Sequence, residues 1–219
     1  MGTRSPINML DEVRLVSYAI LGNVKKLATK SIEGFNAVFT VDNQVRGRFY
    51  RDQGIAHTKT GRFWDALPLL EHALEQWPDD EETLFHLGYC YLKTDRTMEG
   101  IRILEQANRR EGATPRVSSI LGMAYIQAKE YAKAAELLQQ AILKAPNNFN
   151  LQYRLGVALD HLGQYDAAIE AFQEALSIRP GEVKVYQAIG FILEQQGKHE
   201  EAVVFFKKTA DLKDTLQDN

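Results

Sequence analysis

The side chains able to do chemistry in this sequence are few and scattered. Its five histidines, His57, His72, His86, His161 and His199, include no pair one helical turn apart of the kind that grips a metal ion, so they read as surface or core residues. Cys90 is the sole cysteine; it cannot close an internal disulfide, which fits a reducing compartment, and beside Tyr89 it reads as a buried structural thiol. No serine or cysteine sits in a nucleophile motif, and no glycine-rich loop is placed to cradle phosphate. The acidic run Asp79-Asp80-Glu81-Glu82 reads as a helix start, where negative charge faces the positive end of the helix dipole. Arg154 and Lys184 are cations that a groove could use on a partner's C-terminal carboxylate. The pattern points to recognition rather than catalysis: no catalytic residue, no metal and no cofactor are expected.

Composition agrees. The 219 residues carry a net charge of −3, which excludes bulk attraction to nucleic acid, and 45% hydrophobic with 25% charged residues is ordinary for a folded globular chain. No run approaches the roughly 18–20 apolar residues of a membrane-crossing helix. The first residues show no charged start, apolar block and cleavage site in succession, so no signal peptide is read there.

What must position any binding residues is a repeat. Glycines at 54, 88, 122, 156 and 190 are each 34 residues apart. Ala66, Gly100, Ala134, Ala168 and Ala202 repeat at the same period, as do the bulky Leu70, Leu104, Leu138, Phe172 and Phe206. A third small position holds Ala73, Ala107, Ala141 and Ala175 and becomes Thr209 in the last frame. Small residues at fixed offsets let two helices approach, and bulky ones fill the space between them. Gly61, Gly163 and Gly197 mark turns, and Pro78, Pro146 and Pro180 mark the ends of second helices. Five frames result, 47–80, 81–114, 115–148, 149–182 and 183–216. Frame two departs most: Asp95 and Thr97 replace the turn glycine and the aromatic, and Thr114-Pro115 reads as a cap and first helical residue.

This period with these residue types is similar to the tetratricopeptide repeat, a helix–turn–helix unit. The resemblance implies an all-α solenoid, a right-handed, hook-like superhelix whose first helices line a concave face. Helix pairs of this kind bury a shared core only by stacking. A hinge is expected near 110–115, dividing the chain into an N-terminal segment 1–46, repeats 47–112 and repeats with tail 113–219.

One position on each first helix then forms a row across the groove. The residue after each glycine gives Ile55, Tyr89, Met123, Val157 and Phe191, all apolar. Phe85 and Tyr153 each lie three positions before their glycine, Leu92 and Ile126 lie one turn on, and Arg48 and Arg51 add positive charge at one end. These residues are the expected partner-binding surface, suited to an amphipathic helix; burial should dominate affinity, at ~1.5–3 kcal/mol per buried apolar side chain against ~0–1 kcal/mol for an exposed ion pair.

Before the frames, Met9, Val13, Val16, Ile20, Val24 and Leu27 recur at steps of three and four and form an apolar helical stripe, widened by Leu10, Leu15 and Leu21. Ser31 is placed to cap a following helix carrying Ile32, Phe35, Val38 and Phe39. Residues 9–41 therefore read as a degenerate sixth repeat. End caps of solenoids are usually polar outside; this one is apolar and either packs back on its own chain or docks on another molecule.

Four stretches narrow the family. Leu10-Asp11-Glu12-Val13, the run Phe49-Tyr50-Arg51-Asp52 with Gly54-Ile55, Arg154-Leu155-Gly156-Val157-Ala158-Leu159-Asp160, and Gly197-Lys198-His199-Glu200-Glu201-Ala202 together resemble the magnetosome-associated tetratricopeptide proteins of magnetotactic bacteria. That resemblance implies a non-enzymatic, cytoplasmic scaffold, peripheral on the magnetosome membrane through other magnetosome proteins. It also implies a homo-oligomer in which the degenerate repeat of one subunit enters the groove of the next. The alternative is a cytoplasmic adaptor or co-chaperone that binds a partner peptide without self-assembly.

Overall fold

In the computed structural model, residues 9–23, 42–109 and 113–217 are described, and every regular element among them is a helix. In order these are α1 (Met9–Asn23), α2 (Asn43–Lys59), α3 (Phe63–Gln76), α4 (Glu81–Lys93), α5 (Thr97–Asn108), α6 (Pro115–Gln127), α7 (Tyr131–Lys144), α8 (Phe149–His161), α9 (Tyr165–Ile178), α10 (Val183–Gln195) and α11 (His199–Gln217). The expected frames each hold one pair. The helix proposed behind Ser31, with Val24 and Leu27, lies outside the described residues, as do residues 110–112 of the expected hinge. The chain divides into two compact units, Met1–Asp95 and Arg96–Asn219, so the division falls between the two helices of frame two.

Local chemistry sets the helix ends. Asp80 caps α4, its carboxylate accepting from the Thr83 amide at 2.9 Å, and Glu81 and Glu82 occupy the first turn. Asn148 caps α8 through the amides of Asn150 and Leu151 at 3.1 and 3.3 Å. Thr114 and Pro115 take the cap and first helical positions of α6, and α3, α7 and α9 each end two residues before Pro78, Pro146 and Pro180.

The turn between paired helices needs one left-handed residue. Gly61, Gly163 and Gly197 supply it at φ 77°, 72° and 75°. The equivalent positions in frames two and three hold Asp95 at φ 59° and Lys129 at φ 61°. A side chain in that region costs about 1–2 kcal/mol, less for aspartate, and glycine returns part of it as chain entropy. Lys129→Gly is therefore expected to raise stability by about 0.5–1 kcal/mol, and Asp95→Gly by less, read as the urea midpoint at unchanged slope. A midpoint that falls for Lys129→Gly would overturn this account.

Within the second unit the pairs α6–α7, α8–α9 and α10–α11 pack closely. A Cβ on Gly122 would lie 2.7 Å from Leu138 Cδ2, one on Gly156 2.7 Å from Phe172 Cδ1, and one on Gly190 2.6 Å from Phe206 Cε1. In these three pairs the glycine is thus where the first helix touches its own second helix. In the first unit Gly54 meets Leu70 in the same way, at 2.7 Å.

Polar links tie one repeat to the next. Tyr91 Oη donates to Glu71 at 2.6 Å, and Tyr125 Oη donates to Glu105 at 2.7 Å. Both members recur at the 34-residue period, and the later frames replace them with Gln139 and Leu159, then Gln173 and Leu193. Burial, reinforced by the Glu105 carboxylate, pushes the Tyr125 phenol well above its ordinary value. Cys90 is fully buried in the first unit, 3.2 Å from Thr58 Oγ1, and burial pushes its thiol up.

Candidate protein-interaction surface

A residue following a contact glycine lies about 100° further round its helix, at the edge of the helix–helix seam. In the second unit that places Met123 and Val157 half-buried and leaves Phe191 59% exposed, its ring edge-on to Phe206 at 5.3 Å. Tyr153 is half-buried, parallel to Phe149 at 5.9 Å and tilted against Phe172 at 5.8 Å. Ile126 is half-buried one turn beyond Met123. Arg154, which sequence reading offered as a carboxylate grip, reaches from α8 to α6: its guanidinium donates to Ser119 Oγ and lies 3.7 Å from Met123 Sδ. It buttresses the apolar row. Farther along, burial holds the Asp160 carboxyl above the usual carboxylate range, with the neighbouring His161 pulling it partly back. Glu194 pairs with His199 Nδ1 at 2.7 Å.

The first unit behaves differently. Ile55, Phe85 and Leu92, expected to line the groove, are buried at 9%, 7% and 3% exposure and belong to the core. For Phe85 and Leu92 the reason is α4 itself: Thr83, Leu84, Phe85, His86, Leu87, Gly88, Cys90, Tyr91 and Leu92 are all buried, so nearly every face of that helix is covered. Tyr89 remains half-buried, with Phe63 edge-on at 5.8 Å and the Lys93 ammonium 5.5 Å above its ring. Arg48 is exposed; Arg51 pairs with Asp52 at 3.2 Å and stacks over Trp77 at 5.9 Å.

The amino-terminal stripe is also redistributed. Helix α1 packs on α2 through Leu15 and Ala19, at 5% and 3% exposure, and Leu15 shares a cluster with Phe49, Tyr50, Leu69 and Ala73. Tyr18 sets its ring 5.9 Å from Phe49. Val13 and Val16, members of the expected self-association stripe, are 58% and 44% exposed. Met9 and Ile20 lie within α1, and Val24 and Leu27 lie outside the described residues.

Among the described residues no group of three or more histidine, cysteine, aspartate or glutamate side chains is placed to hold a metal ion, and no helix is long and apolar enough to cross a membrane. A tetratricopeptide-repeat family model matches residues 58–124 and 161–214, and a second such model matches residues 120–183. The chain belongs to the tetratricopeptide-repeat family. Tetratricopeptide-repeat proteins of this kind are non-enzymatic protein-interaction scaffolds. Curated relatives named magnetosome protein MamA, from Magnetospirillum gryphiswaldense and Paramagnetospirillum magneticum, are 41% identical over 83 residues. That stretch spans 38% of this chain and 38% of the length of each relative. A solved MamA structure from strain AMB-1 superposes with a TM-score of 0.69 at 42% identity, covering 76% of this chain and 98% of that one. One from strain MSR-1 gives a TM-score of 0.68 at 41% identity, covering 78% and 98%.

Two features escaped sequence reading. The Tyr–Glu links were legible in principle, since both partners keep the repeat period. The Arg154–Ser119 contact was not, because it occurs once.

Proposed function

We propose that this chain is a self-assembling scaffold that coats the cytoplasmic face of the magnetosome membrane peripherally and recruits other magnetosome proteins through the apolar row on its first helices. The observation that carries the reading is α1. It docks on its own chain with Leu15 and Ala19 and still turns Val13 and Val16 to solvent. A terminal helix with a second apolar face is suited to enter a groove on another copy, and Met123, Val157 and Phe191 offer partly open apolar surface to receive it. A head-to-tail contact of this sort propagates rather than closes. The MamA relatives, magnetosome proteins by name, support the location. The adaptor reading is less favoured, because the Arg154 guanidinium is already engaged with Ser119.

Deleting residues 1–41 is a poor test, since it would strip Leu15 from Phe49 and Tyr50. Val13→Glu with Val16→Glu leaves that packing intact. By size-exclusion chromatography with light scattering, the double variant is expected to fall from large assemblies to species no larger than a dimer. Large assemblies persisting in the folded variant would refute the role of α1.

A further inference from the structure

Helix α11 breaks the pattern of the second helices at two adjacent positions. The first column, Leu67, Ile101, Ala135, Ile169 and Val203, is apolar in every frame. Its members are buried in the first three frames, half-buried in the fourth and 46% exposed at Val203, where the described residues supply no further helix. The second column faces solvent: Arg102, Glu136 and Glu170 are all exposed there. In the last frame it holds Val204, 65% exposed. An aliphatic side chain thus stands where frames two to four keep a charge.

Charges are ordered around Val204. Glu200 and Glu201 lie four and three residues before it, and Lys207 and Lys208 three and four residues after it. At 3.6 residues per turn these offsets bring all five side chains to one face of the helix. All four charged residues are exposed. Reversing the direction of such a helix brings its acidic end over its own basic end.

We infer that this face of α11 pairs antiparallel with α11 of a second copy, about a two-fold axis at Val204. The valines then bury each other, and Glu200 and Glu201 of each copy meet Lys207 and Lys208 of the other. The contact is isologous, with the same patch on both sides. It is separate from the α1 contact proposed above. Parallel pairing would oppose like charges, Glu200 and Glu201 against their own copies and Lys207 and Lys208 likewise.

The test uses the full chain carrying Val13→Glu and Val16→Glu, so that the α1 contact is silent. Sedimentation equilibrium is expected to show a concentration-dependent dimer, weakened by salt. Val204→Glu restores the residue type of frames three and four and should yield a folded monomer. Lys207→Glu with Lys208→Glu, and separately Glu200→Lys with Glu201→Lys, should each weaken self-association roughly tenfold or more. Mixed in equal amounts, these two chains should pair with each other, because acidic and basic ends are then matched throughout. A dimer that survives Val204→Glu, a mixture that fails to pair while both chains remain folded by circular dichroism, or a monomer in the starting background would overturn the inference.

Discussion

Phe172→Ala is expected to destabilise the chain by about 3–5 kcal/mol. Phe172 is 1% exposed and fills the space opposite Gly156, whose missing side chain brings α8 against α9. Removing the ring leaves a void with no neighbour able to collapse into it: the facing position is a glycine, and Tyr153 is held in its own stack with Phe149. Against a typical domain stability of ~5–15 kcal/mol this is a large fraction, and the melting temperature should fall by roughly 6–20 °C. Leu143→Ala is the control. It truncates an apolar side chain that is 85% exposed, and its effect should stay within about 0.5 kcal/mol. A loss below about 1 kcal/mol for Phe172→Ala would show that the seam between α8 and α9 is loosely packed.

The second large effect is local. Leu15→Asp places a carboxylate among Phe49, Tyr50, Leu69 and Ala73. Burying the leucine contributes ~1.5–3 kcal/mol, and an unpaired buried charge costs more than the contact of one helix can supply. Helix α1 is therefore expected to undock while the unit from Arg96 onward keeps its fold. Hydrogen exchange checks this: amides of α1 should lose protection, and those of α8 to α10 should not change. Val16→Asp, on the exposed side of the same helix, should leave α1 protected. Unaltered protection of α1 in Leu15→Asp would mean that Leu15 is not its anchor.

These two results probe different kinds of legibility. The Gly156–Phe172 seam could be read directly, because both columns recur in every frame and a small residue facing a bulky one has one physical meaning in a helix pair. The docking face of α1 could not. Its apolar residues span a broad arc, and Val13, Val16 and Ile20 fit a helical stripe as well as Leu15 and Ala19 do. Only the position of Phe49 and Tyr50 selects the second set. Helix α4 poses the same difficulty in reverse. Ile55, Phe85 and Leu92 look like groove residues by register, yet burial on nearly all sides of α4 removes two of them from any surface.

By itself the sequence determined the helix pairs, their boundaries, the glycine seams and the absence of any recognisable catalytic pattern. Each of these follows from local propensity or from a contact repeated at a constant interval, and repetition turns a weak preference into a firm one. The tertiary structure alone decided which apolar side chains remain open to a partner: Met123 and Val157 in part, Phe191, Val13, Val16, Val203 and Val204 clearly. Exposure depends on what the neighbouring helices cover, and an apolar residue carries the same signature in the chain whether a neighbour covers it or not.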